Sequence, residues 1–83
     1  NYKLCVIIKI MKQKKIENFI YSIEQYIRDN VHCSEEESKS IVRLSPLLLF
    51  LWEDADIVMH YSIEYWGEFV IQYAKDNQLL KNS

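Results

Sequence analysis

Ile16-Glu17-Asn18-Phe19-Ile20-Tyr21-Ser22-Ile23-Glu24-Gln25-Tyr26-Ile27-Arg28-Asp29-Asn30 is the stretch that decides the fold. At 100° per residue, Ile16, Phe19, Ile20, Ile23, Tyr26 and Ile27 fall within roughly 120°, the apolar stripe of a helix lying on a core. Glu17, Glu24, Gln25 and Arg28 take the opposite side, with Tyr21 as an apolar intruder among them. The helix should stop near Asp29-Asn30, because asparagine tolerates the left-handed conformation of a C-cap.

Downstream, Ser34-Glu35-Glu36-Glu37 is a capping box. Ser34 can accept from the Glu37 backbone N–H while the Glu37 side chain reaches back to Ser34, and three carboxylates sit at the positive end of the helix dipole. A second helix over residues 35–44 follows. It must stop or kink at Ser45-Pro46, since proline donates no backbone bond and disfavours helical geometry in the residue before it. Ser45 then caps a third helix with Pro46 at its first position. That helix opens on Leu47-Leu48-Leu49-Phe50-Leu51-Trp52, apolar all round, which marks either the centre of a core or an interface. Glu53-Asp54-Ala55-Asp56 interrupts the run and offers another cap. From residue 57 to about 77 the pattern predicts one long helix, with Met59, Ile63, Trp66, Val70 and Tyr73 on a stripe. Gly67 inside it costs about 1 kcal/mol relative to Ala and lets another backbone come close.

Upstream, Tyr2, Leu4, Val6, Ile8 and Ile10 alternate with Lys3 and Lys9, the period of a short strand. No second strand-like run pairs with it, so this segment is a strand needing a partner chain, an extended arm, or a helical extension. The chain opens on Asn1, and Met11-Lys12-Gln13-Lys14-Lys15 reads as an ordinary start, so no function is built on residues 1–10. The expectation is an all-α fold: a compact bundle of three to four helices, preceded by a short N-terminal strand or arm. Residues 1–15 form a basic arm and residues 16–83 a single helical domain. Ile16, Phe19, Ile23, Ile27, Leu48, Leu51, Met59, Ile63, Trp66 and Val70 are its predicted core. Tyr21-Ser22-Ile23-Glu24 and Gln25-Tyr26-Ile27-Arg28-Asp29-Asn30 find faint echoes at residues 61–64 and 72–77. Their offsets differ by two helical turns, which argues against a true repeat.

The composition agrees with a folded unit. Of 83 residues, 49% are hydrophobic and 13% aromatic, with one Gly and one Pro, too apolar for a disordered segment. A chain of this length buries roughly 60–65% of the surface its unfolded form exposes, enough for one modest core and no large pocket. Its longest apolar run, residues 47–52, is far short of the roughly 20 residues a bilayer needs. The net charge is -2, so the positive surplus that neutralises DNA phosphates is missing. The charge is uneven, however. Residues 1–43 hold eight Lys and Arg against six Asp and Glu, whereas residues 44–83 hold two against six. Two cysteines, Cys5 and Cys33, make no disulfide framework and read as reduced thiols, in keeping with a cytoplasmic location and no signal-peptide pattern.

Catalytic chemistry has little to stand on. Asp56, His60, Glu64 and Glu68 recur every four residues and on one helix would form a drifting column of metal-ligand types. No second helix supplies the matching Glu-x-x-His of a carboxylate-bridged metal site. Adjacent His32 and Cys33 do not meet in the geometry of nucleophilic catalysis. One glycine rules out a phosphate-binding loop, and Cys5, His32, Cys33 and His60 do not have zinc-finger spacing. The expectation is a protein that is not an enzyme and takes no metal and no cofactor.

What remains is an aromatic surplus. Tyr61 and Tyr65 widen the apolar arc of the last helix beyond its stripe, and tyrosine, tryptophan and methionine are enriched at interfaces. The partner surface is therefore placed on Tyr61, Tyr65 and Trp66, with Glu64 and Glu68 at its edge and Tyr21 of the first helix as a further candidate. The expected function is that of a small interaction module of a bacterial or phage type, an inhibitor, antitoxin, immunity or adaptor protein. It would bind a protein partner whose basic charge suits the acidic second half, or a second copy as a homodimer. The alternative is a helix-turn-helix regulator formed by residues 34–52, with Lys9, Lys12, Lys14 and Lys15 on nucleic acid. Against it, residues 47–52 hold no Arg, Lys, Asn or Gln to read base edges.

Overall fold

The described residues form four helices: α1 (Tyr2–Asn30), α2 (Glu35–Leu44), α3 (Leu47–His60) and α4 (Ile63–Asp76). The computed structural model describes the backbone of residues 2–80 and the side chains of residues 11–80, and among the described residues there is no strand. The strand or arm expected at residues 2–10 is helix instead. α1 begins at Tyr2 and runs unbroken through the basic segment into the amphipathic one. With no second strand present, a strand's N–H and C=O groups would go unpaired, whereas a helix pairs them within the segment. The 29 residues of α1 span about 44 Å at 1.5 Å per residue. They set the long axis of a molecule measuring 51 × 20 × 19 Å.

The cap chemistry is local and clean. At α2, the Glu37 N–H donates to Ser34 Oγ at 3.1 Å and the Ser34 N–H to Glu37 Oε1 at 3.2 Å, the expected reciprocal box. Buried Ser45 donates its hydroxyl to the Val42 carbonyl at 2.7 Å and accepts the Leu47 N–H at 3.3 Å. Ser45 is the C-cap of α2, and the expected cap of α3 is corrected by one residue: Pro46, not Ser45, is its N-cap, so α3 starts at Leu47, while the Ser45 hydroxyl bridges the turn. Inside α3, Asp54 leaves helical geometry (φ -158°, ψ 86°), and its Oδ1 accepts the Ile57 N–H at 3.2 Å. The break expected at residues 53–56 is therefore a kink, with Asp54 capping the second half.

Two expectations about helix ends are corrected. Asn30 does end α1, but not through a left-handed conformation: among the described non-glycine residues only Gln78 has positive φ, at 57°. Asn30 Nδ2 instead donates to the Tyr26 carbonyl at 2.8 Å, and Asn77 Nδ2 does the same to Tyr73 at 2.8 Å. Half of the sequence echo thus marks two helix ends of identical chemistry. The other half marks nothing, since Tyr21-Ser22-Ile23-Glu24 lies within α1 while residues 61–64 span the entry to α4. Left-handed Gln78 closes α4 with the bond pair of a Schellman turn, Leu79 N–H to Ala74 O at 2.8 Å and Gln78 N–H to Lys75 O at 3.3 Å. Leu80 is buried beyond it.

The second correction is larger. The single helix expected over residues 57–77 is broken at Tyr61 and Ser62, both extended (ψ 158° and 160°). Ser62 Oγ accepts the Tyr65 N–H at 3.0 Å and caps α4. The Trp66 indole N–H, donating to the Val58 carbonyl at 2.7 Å, pins α4 back onto the end of α3. A buried indole needs an acceptor, and the last turn of a helix has carbonyls to spare.

The core gathers one face of each helix: Ile23 and Ile27 of α1, Ile41 and Val42 of α2, Leu47, Leu51, Ala55 and Val58 of α3, and Trp66, Val70, Ile71 and Ala74 of α4. Ile16, Phe19, Leu48, Met59 and Ile63, expected in the core, are half-buried against it. The most extensive contact joins α1 and α4, and Gly67 lies at it, against the Tyr26 ring. A Cβ there would lie 2.8 Å from Cε1 and 2.9 Å from Cγ of Tyr26, and closer still to Cδ1. It is a ring, not a backbone, that glycine admits.

Candidate protein-interaction surface

Across the break at Tyr61 and Ser62, side chains from α3, the break itself and α4 assemble an aromatic cluster. Tyr61 and Tyr65 lie 4.9 Å apart between ring centroids, Tyr65 and Trp66 5.0 Å, and Tyr61 and Trp66 6.2 Å, at interplanar angles of 37°, 89° and 72°. Trp66 continues inward to Phe69 at 5.5 Å and Phe50 at 6.0 Å. Tyr61 and Tyr65 are 47% and 53% exposed, whereas Trp66 is 8% exposed. The tyrosines therefore face solvent while Trp66 belongs to the core beneath them and serves as the floor of the cluster.

A cleft of about 330 Å³ opens beside these rings, lined by Phe50, Glu53, Asp54, Ile57, Val58, Tyr61, Tyr65 and Trp66. Its acidic groups are Glu53 and Asp54, which the sequence marked as a helix break and cap and not as part of the partner surface. Glu64 and Glu68, expected at the edge, do not line it. Glu68 Oε1 accepts the Tyr26 hydroxyl at 2.9 Å, so it faces the α1 side of α4. That bond, more than burial, raises the Tyr26 hydroxyl above its ordinary pKa. Tyr21 is exposed on α1, where its hydroxyl accepts from Gln25 Nε2 at 2.8 Å, away from the cluster.

The column of metal-ligand types does not exist as a column. The break separates Asp56 and His60 on α3 from Glu64 and Glu68 on α4. Asp56 pairs with Lys12 at 3.3 Å. Among the described residues no group of three or more His, Cys, Asp or Glu is placed to hold a metal. The Cys33 thiol is pushed up by burial, and further by Glu37 against the pull of Arg28, which works against a reactive thiolate. Of the lysines proposed for nucleic acid, Lys12 is in that ion pair, Lys14 and Lys15 are exposed, and the side chain of Lys9 lies outside the described residues. Among the described residues no helix is long and apolar enough to cross a membrane.

One exposed residue went unnoticed in the sequence. Trp52 is 87% exposed, on the outer face of α3 with exposed Leu49 and Ile57. Beside it an open cleft of about 500 Å³ runs between α1 and α3, walled by Ile16, Ile20, Leu48 and Leu51. The signal was available, because a run apolar on every side in so small a chain must leave one side uncovered. No family model, curated protein or solved structure matches the chain.

Proposed function

We infer that this protein is a small, non-catalytic interaction module that seats a basic protein partner on the aromatic and acidic surface between α3 and α4. Such modules serve bacteria and their mobile elements as inhibitors, antitoxins, immunity proteins and adaptors. One observation carries the reading: two half-exposed tyrosines are held against a buried tryptophan at the mouth of a cleft whose charged walls are both carboxylates. Rigid aromatic anchors of this kind lose little side-chain entropy on binding and dominate interface energetics. The uneven charge adds to it, with residues 44–83 holding two Lys and Arg against six Asp and Glu. Nothing comparable supports a nucleic-acid reader: the outward residues at the start of α3 are Leu49, Trp52 and Glu53.

Affinity capture with mass spectrometry, comparing the wild type with Tyr61→Ala/Tyr65→Ala, tests the reading. The double variant should keep its thermal midpoint and weaken the captured complex at least about tenfold, as loss of central aromatic anchors does. Unfolding of the variant would make the tyrosines structural. A complex unaffected by the change, or one built on nucleic acid, would remove the surface or the partner class. Self-association by the same surface would appear in sedimentation as a dimer lost in the double variant.

A further inference from the structure

We propose that the cleft between α3 and α4 binds the cationic head of a lysine or arginine side chain presented by the partner. The proposal rests on the interaction reading above and states what the partner must insert. At about 330 Å³ the cleft suits one side chain rather than a folded element. Its walls are of two kinds only. The rings of Phe50, Tyr61, Tyr65 and Trp66, with Ile57 and Val58, supply apolar and π surface, and Glu53 and Asp54 supply negative charge.

The hydrogen-bonding groups deep in the cleft are already engaged with one another. The Trp66 indole N–H is spent on the Val58 carbonyl, so this ring offers an occupant no donor. Asp54 Oδ1 holds the Ile57 N–H at 3.2 Å. Among the described residues no ion pair reaches Glu53 or Asp54: Lys12 goes to Asp56, and Arg28 and Lys39 go to Glu35. An anion is repelled here, and a neutral apolar occupant would strip water from two carboxylates without replacing it. A cation on an alkyl stem meets both demands, pairing with the carboxylates and lying against electron-rich ring faces. The rings meet at 37°, 72° and 89°, so they wall a concavity rather than stack as a flat platform.

The test needs no natural partner. In a Trp52→Phe background Trp66 is the only tryptophan left of the two, and its emission reports on the cleft. Blocked Gly-Lys-Gly and Gly-Arg-Gly peptides are titrated against Gly-norleucine-Gly, whose central side chain has lysine's stem without its charge. The lysine and arginine peptides should give a saturable shift at least about tenfold tighter than norleucine. The preference should shrink as salt rises. Glu53→Gln/Asp54→Asn, which keeps the acceptor that caps Ile57, should lose that preference with the thermal midpoint retained. Tyr65→Phe should bind nearly as the wild type does, and Tyr65→Leu should not. Equal binding of norleucine, or no response to any of the three peptides, overturns the proposal. If the peptides fail while a captured partner still depends on Tyr61 and Tyr65, the interaction reading stands without a cation site. If the peptides bind while no partner depends on those tyrosines, the site stands and that reading falls.

Discussion

The α1–α4 seam and the outer face of α3 are both rich in apolar residues, yet they end in opposite states. At the seam Ile23, Ile27, Val70 and Ala74 are fully buried, Gly67 lies under the Tyr26 ring, and the Tyr26 hydroxyl is tied to Glu68. On α3, Leu47, Leu51, Ala55 and Val58 face inward, while Leu49, Trp52 and Ile57 stand exposed on the other side of the same helix. Hydrophobic content does not distinguish the two regions. Geometry does, because each seam residue has a facing surface shaped to it, whereas among the described residues no element faces Leu49, Trp52 and Ile57 closely enough to bury them. The teaching is that stability is concentrated in the seam and function is to be sought in what the bundle leaves uncovered.

The sharpest way to break this contrast is to truncate one residue from each region. Ile27→Ala should cost about 2–5 kcal/mol in urea unfolding through the cavity it leaves. That is a large share of the roughly 4–12 kcal/mol expected of a chain this size. Trp52→Ala, although it removes a bigger side chain, should change stability by no more than about 0.5 kcal/mol. Comparable losses would mean that the outer face of α3 is packed in solution.

A smaller effect tests the closeness of the seam. Gly67→Ala gains about 1 kcal/mol of helix propensity but drives a methyl into the Tyr26 ring at contacts under 3 Å. Overpacking costs about 1–3 kcal/mol, so a net loss is expected. Made in a Tyr26→Ala background, the same change should become stabilising, and the coupling between the two positions measures the contact. A stabilising Gly67→Ala in the wild-type background would show that the ring yields easily and that glycine is not what sets the helix approach.

How far such contrasts could be foreseen depended on the range of the interaction responsible. The places where α1 and α2 stop, the Ser34 box and the turn at Ser45 rest on residues within four positions of one another and were legible, although α1 closes through the Asn30 side chain rather than a left-handed cap and α3 starts one residue later than expected. The break between α3 and α4 was not. The Trp66 indole bond to the Val58 carbonyl spans the extended pair Tyr61 and Ser62, and helical periodicity across residues 57–77 carries no trace of that bond. A local signal was there, Ser62 as a cap with Glu64 in the first turn, but the sequence reading followed the periodic stripe and passed over it. The candidate site shows the same division. Tyr61 and Tyr65 were visible as surplus beyond the stripe, whereas the acidic groups beside them in the cleft are Glu53 and Asp54, from a different helix.

The smallest predicted effect lies between the two regions, where α1 meets α2. Burial, the dominant influence on Glu24, raises its carboxyl above the ordinary 4.5, and Glu35 adds to this against the opposing pull of Lys39, Arg28 and Arg43. A carboxyl that binds its proton more tightly in the folded state contributes stability that is complete below the unfolded value. That contribution is lost as pH rises through the folded value. Glu24→Gln removes this titration and leaves the other carboxylates to titrate as before. The difference in thermal midpoint, variant minus wild type, should therefore climb from about pH 4 through the raised value and then level off toward neutrality. A difference that falls over the same window would mean that the three cations outweigh burial and that Glu24 is a stabilising partner of α2. In that case the polar α1–α2 contact would join the α1–α4 seam as a source of stability, and the division between a tight seam and an open α3 face would have to be redrawn around α1 as a whole.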